Sequence, residues 1–231
     1  MWLINSSIGK KFVMSVTGTA LVLFLLFHGA MNLVAIISPE GYNAICAFLG
    51  ANWYAVVASI GLAALVGVHF VYAVVLTFQN YRARGDERYA VSKSQSEVEF
   101  SSRNMFILGL TVVGFLVLHL YNFWFKMQFS ELTGIKTGEF EPQNGAEYVK
   151  ALFSNPAYCV VYLVWLAAIW FHLTHGIWSA LQTFGLNNNT WVKRIKFISY
   201  VITTFVVLMF AAVVIFYGAS AICNGTTAFV W

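Results

Sequence analysis

Residues 156–184 read PAYCVVYLVWLAAIWFHLTHGIWSALQTF, a stretch without one Asp, Glu, Lys or Arg. As a helix rising 1.5 Å per residue it exceeds the ~30 Å hydrocarbon core of a bilayer. Asn155-Pro156 supplies a helix start and Gly185 a stop. Its only groups that titrate near neutral pH are His172 and His175, three residues apart, where burying an imidazole is costly. The segment therefore poses the two questions that decide the fold and the chemistry: how many such spans there are, and what the histidines do.

The composition agrees with a membrane setting. The chain is 231 residues long, 60% apolar and only 10% charged, against about 25% charged residues in ordinary soluble domains. A sequence pI near 9.0 invites a nucleic-acid reading, but the bases are scattered between apolar runs and form no continuous patch. Such a distribution marks membrane orientation instead. Cys46, Cys159 and Cys223 are far apart and form no CxxC. Neither a zinc site nor covalent c-type haem attachment is indicated, and all three are expected as small buried hydrophobes.

Five segments qualify as spans, at about 12–37, 52–79, 104–125, 156–184 and 197–221, and the expected fold is an all-α, single-domain polytopic bundle over residues 1–231. The first is expected as a retained span, because its apolar run is about twice that of a signal peptide and no small-x-small cleavage site follows. Residues 38–51 read as a turn and a short interfacial helix. Residues 80–103, 126–155 and 185–196 read as connections.

Basic residues set the expected topology. Lys10 and Lys11, five bases in 80–103 and three in 185–196 lie on one side; Lys126, Lys136 and Lys150 lie on the other. The positive-inside rule then puts the N-terminus in the cytoplasm and the C-terminus outside, in a bacterial cytoplasmic (inner) membrane.

All five histidines, His28, His69, His119, His172 and His175, fall inside spans. An ionisable residue within a bilayer is a functional candidate by default, although a single one is more ordinarily a neutral imidazole hydrogen-bonded to the next helix. Four helices contributing at least one each is a pattern. Counted from their charged or polar ends, His28 and His119 reach one level, near the outer face. His69 and His172 reach another, near the cytoplasmic face. The levels differ by up to ~18 Å at 1.5 Å per residue. Two histidine pairs at two depths in a helix bundle is the ligand set of two bis-histidine b-type haems. A di-iron site needs carboxylates, which no span contains, and HExxH is absent. Gly61, Ala64, Gly67, Gly109, Gly114, Gly176 and Ala180 are expected to let helices approach closely, with room for a porphyrin as the alternative.

With the histidines placed, the chain resembles the single-subunit, two-haem cytochrome b anchor of succinate:quinone oxidoreductases, the complex II and fumarate reductase group. The similarity is strongest at SSIGKKFVMSVTGTALVLFLLFHGAMN (6–32), VHFVYAVVLTFQNYRARG (68–85), SSRNMFILGLTVVGFLVLHLYNFW (101–124) and FHLTHGIWSALQTFGLNN (171–188). The resemblance implies that His28 and His119 hold the distal haem, and His69 and His172 the proximal one. It implies a flavoprotein with FAD and an iron-sulfur protein as partners on the cytoplasmic face, docked on 80–103 and 185–196, and menaquinone as the membrane substrate. Catalysis of the dicarboxylate chemistry would belong to the flavoprotein. Aligning HxxxG selects His172 over His175, and depth does the same. His175 is then expected as a packing histidine, with service to a haem propionate or a proton as the alternative.

Lys10, Lys11, Arg82, Arg103 and Lys193 are candidate propionate contacts, and each is equally a topology marker. Glu40, Tyr42 and Asn43 are weak quinone-site candidates at the outer side, Glu40 as a proton acceptor. One departure from the family matters. Some relatives carry a glutamate two residues before the proximal ligand of the fourth span, where this chain has Trp170, so the resemblance does not extend to a proton relay built that way. Two other readings remain open: a haem b subunit of another membrane oxidoreductase, such as a formate dehydrogenase or hydrogenase, and a histidine-lined proton-coupled transporter.

Overall fold

Five helices are long and apolar enough to cross a membrane. The structure, a computed structural model, describes residues 6–84, 100–186 and 188–228. In chain order the helices are α1 (Ser7–Ile37), α2 (Pro39–Phe48), α3 (Trp53–Arg84), α4 (Phe100–Arg103), α5 (Met105–His119), α6 (Ser130–Thr133), α7 (Gly145–Phe153), α8 (Pro156–Thr183) and α9 (Asn189–Cys223). A π-helical segment, Leu120–Phe129, joins α5 to α6 without a break. Helix is the only regular structure among the described residues.

The starts are written in local chemistry. Ser6, Ser38, Asn155 and Asn188 cap α1, α2, α8 and α9, each side chain accepting from a backbone N–H of the first turn. Pro39 and Pro156 follow two of them, where the missing N–H costs nothing. Gly134 ends α6 in the left-handed region, at φ 68°.

The spanning helices outrun their expected limits. α1 begins at Ser7, so Lys10 and Lys11 are helical. α3 continues to Arg84 and takes Arg82 with it. α9 begins at Asn189, so most of the expected 185–196 connection is its first two turns. Charged residues do not stop a helix, and long basic side chains reach water from a helix end. The central part of the expected 80–103 connection, residues 85–99, and residue 187 lie outside the described residues.

The expected 126–155 connection is also structured. The π segment carries the chain to Phe129, and α7 lies across the end of the bundle. Val149, Tyr148, Ala146 and Phe153 bury one face of α7. The polar clip is Asn43 of α2, which donates from Nδ2 to Asn144 Oδ1 at 2.8 Å and accepts from Ala146 N at 2.9 Å.

The core lies between α8, α9 and α1. Leu166, Ile169 and Leu173 of α8 meet Val206, Met209, Val213 and Tyr217 of α9. Gly29 of α1 lies so close to Met209 that a Cβ there would collide with it. Tyr217 Oη donates 2.7 Å to the Ala35 carbonyl and fastens α9 to α1. By contrast α3 packs on α1, touches α5 only lightly, and has none of its apolar window buried.

The cysteines differ from expectation at one position. Cys46 and Cys159 are half-buried, but Cys223 is exposed at the end of α9. Burial pushes the Cys46 thiol up to about 11, so at pH 8 only about one molecule in a thousand carries the reactive thiolate there. Thiol labelling at pH 8 is expected to modify Cys223 first and to leave Cys46 unmodified on the same timescale. Fast double labelling, read by intact mass, would contradict this packing.

Candidate functional site

The bundle brings the four helices' histidines together in two pairs. The rings of His28 on α1 and His119 on α5 have centroids 5.9 Å apart with planes at 85°. Those of His69 on α3 and His172 on α8 are 6.5 Å apart at 68°. The vertical distance between the pairs follows from two helices independently. On α1, a Cβ on Gly18 would lie 3.2 Å from His69 Cε1, and His28 is ten residues further along. On α5, a Cβ on Gly109 would lie 3.5 Å from His172 Cε1, and His119 is again ten residues further. Ten residues of α-helix rise about 15 Å.

His175, one turn beyond His172, belongs to neither pair. Its ring packs edge-on against Trp178 at 4.9 Å, and Trp178 in turn lies under Lys196 Nζ of α9, also at 4.9 Å.

The surroundings of each imidazole differ. His69 Nδ1 is 3.1 Å from Thr17 Oγ1. His28 Nδ1 is 3.4 Å from Asn32 Nδ2, which also donates 2.8 Å to the His28 carbonyl. The Asn32 amide is held from the other side by Tyr42 Oη, donating to its Oδ1 at 3.2 Å. Burial, with Cys46 adding to it, pushes the Tyr42 hydroxyl far above its usual range, so Tyr42 remains a donor. His119 Nδ1 and His172 Nδ1 are buried with no partner among the described residues, as is Trp165 Nε1, whose ring lies 5.5 Å from that of His119.

These observations bear on which group the residues fit. A nitrogen about 2 Å from a metal leaves its ring centroid about 3 Å away, so two imidazoles on opposite sides of one metal have centroids about 6 Å apart. Both pairs meet that distance. Edge-to-face ring packing spans the same range, so the distance alone does not decide. Its recurrence does weigh: two such pairs join four different helices, ten residues apart on both α1 and α5. No cluster of three or more His, Cys, Asp or Glu occurs among the described residues. Two protein nitrogens are too few for an ordinary tetrahedral or carboxylate-bridged site, but suffice where a macrocycle supplies the other ligands.

Gly61, Gly67 and Gly114 are exposed, with nothing within 4 Å of the place a Cβ would occupy, so the expected close helix approach fails for these three. Gly109 instead seats the His172 ring, Gly176 meets Met105 and Ala180 is buried, whereas Ala64 is exposed. Along α5, Thr111, Gly114, Phe115 and Leu118 line an open groove of about 350 Å³ directly before His119.

The remaining candidates scatter. Glu40 is exposed, Tyr42 is buried toward Asn32, and Asn43 is spent on the α7 clip, so the three form no common pocket. Lys10, Lys11, Arg82, Arg103 and Lys193 all lie at the end of the bundle nearer the His69–His172 pair; Lys10 is half-buried and the others are exposed. Trp170 turns to α9, donating from Nε1 to Thr204 Oγ1 at 3.0 Å.

Asn32, Thr17 and Gly18 carry no expectation from the sequence, whereas Gly109 does, as a close-approach glycine. The only available signals were Asn32 four residues after His28, and a Thr-Gly pair in the first span.

The fold and its paired imidazoles define an all-α, five-span membrane bundle with two histidine levels. No family model, curated protein or solved structure matches the chain.

Proposed function

We propose that the chain is the two-haem cytochrome b anchor of a succinate:quinone oxidoreductase, carrying electrons between an iron-sulfur partner and membrane menaquinone. The observation that carries the reading is the pairing of imidazoles from four helices at two levels about 15 Å apart. His28 and His119 would hold one haem b, His69 and His172 the other. Bound there, the haems would supply reversible one-electron redox chemistry across the bilayer. The protein's part is to hold the four rings and exclude water. Gly18 and Gly109 give His69 and His172 flat seats, and Asn32, held by Tyr42, bonds to the His28 carbonyl.

The exposed bases Arg82, Arg103 and Lys193 mark the end that faces the cytoplasm and receives the iron-sulfur and FAD-bearing subunits. FAD and the iron-sulfur clusters belong to those partners. Quinone exchange would take place from the lipid, near the other pair.

Purified in detergent, the protein should show reduced b-type absorption bands and about two haems per chain. In the intact complex, succinate should reduce both haems, and menaquinol should reduce fumarate. A helical but colourless preparation, expressed with haem supplied, would overturn the reading.

A further inference from the structure

One side chain adjoining the lower pair has its chemistry fixed by its neighbours. Thr17 is 6% exposed, in the third turn of α1, and its hydroxyl has a single proton. That proton is directed at the helix's own backbone: Oγ1 lies 2.9 Å from the Val13 carbonyl and 3.1 Å from that of Met14. The same oxygen lies 3.1 Å from His69 Nδ1. With its proton committed to a carbonyl, Oγ1 offers His69 only lone pairs. The contact between Oγ1 and the ring is then a hydrogen bond only if Nδ1 donates. A neutral imidazole with Nδ1 protonated has Nε2 as its free base.

We infer that Thr17 is a positioning residue which selects the Nδ1–H tautomer of His69 and so presents an unprotonated Nε2 to whatever metal lies between His69 and His172. Gly18 completes the device. With no Cβ, it lets the His69 ring lie against α1 within reach of Thr17. Nothing equivalent acts on His28, whose Nδ1 faces the N–H₂ side of Asn32. The inference rests on the proposed haem reading for its purpose, but the tautomer stands apart from it. When Nε2 binds iron, an acceptor at Nδ1–H makes the imidazole a stronger base and favours the oxidised metal.

The test has two arms. In the full-length chain prepared without haem in bilayers, ¹⁵N-histidine NMR should show His69, identified by its loss in His69→Ala, protonated at Nδ1. Thr17→Val should admit the Nε2–H form, and Thr17→Ser should not. In the haem-loaded chain, Thr17→Val should raise one of the two midpoint potentials and leave the other. The expected change is about tenfold in the reduced-to-oxidised ratio at fixed potential, about 59 mV for one electron. A wild-type His69 protonated at Nε2 overturns the inference, whether or not the variants fold. So does a Thr17→Val variant with unchanged tautomer and potentials. Failure of the wild type to take up haem would sink the proposed function instead, while the NMR arm still decides the tautomer.

Discussion

Replacing His28 or His119 by alanine is expected to lower the haem content from about two per chain to about one, with the remaining haem keeping its low-spin spectrum. The expectation comes from separation. His28 and His119 face each other across 5.9 Å, and the other pair lies about 15 Å further along both α1 and α5. Neither ring contributes to the seat of the other pair, which is made by Thr17, Gly18 and Gly109. Both rings do pack on the core, His28 on Phe210 and His119 on Tyr162 and Trp165, so the ratio is read only on variants that still insert and fold. Pyridine haemochrome assay against protein mass measures the ratio. Loss of both haems from either inserted variant would contradict two separate levels.

His172→Ala and His175→Ala, one turn apart on α8, should behave in opposite ways. His172 faces His69 at 6.5 Å, and its removal should abolish the haem nearer the basic end of the bundle. His175 packs on Trp178 beside Lys196, away from His69. Its replacement should leave two haems per chain, at a cost in stability in the range of about 0.5–3 kcal/mol usual for single substitutions. Redox-resolved spectra of the two variants distinguish the outcomes. Loss of a haem from His175→Ala with both retained in His172→Ala would reverse the assignment.

The spans and the histidine pairing were legible for the same reason. In a helix crossing lipid, the last charge before an apolar run is anchored near the interface, so counting residues from Lys11, Arg103 or Pro156 measures depth. Depth is what places His28 beside His119. Rotation about the helix axis is not measured that way, because spans apolar on all sides have no marked face. Hence the mistaken expectation for Gly61, Gly67 and Gly114, which look like packing glycines and face open space. Hence also the unforeseen roles of Thr17 and Asn32, each set by which way its helix turns. The π segment after His119 depends on backbone bonds that no side-chain pattern announces. α7 was hidden by expectation of another kind. Residues 126–155 read as a connection, although Ala146, Val149 and Phe153 recur at helical spacing and bury one face. Asn43, considered for quinone chemistry, turned out to be the peg that holds this helix down.

The loose attachment of α3 bears on how such a protein is assembled. Its outer surface already rests in lipid, and none of its apolar window is buried by the other helices. Moving it aside exchanges one hydrocarbon contact for another, and in a bilayer no hydrophobic force opposes that exchange. What restrains it is the face it shares with α1, a light contact with α5, the Ser59 hydroxyl donating to Gln128 Oε1 at 2.9 Å, and the imidazole it extends toward His172. A flat, greasy molecule too broad for any channel between packed helices would thus have a side entrance, opened by parting one stave of the barrel. Once inside, bonded on both faces, that molecule would become the rivet that closes the stave, and maturation of the bundle would end with its cargo and not before.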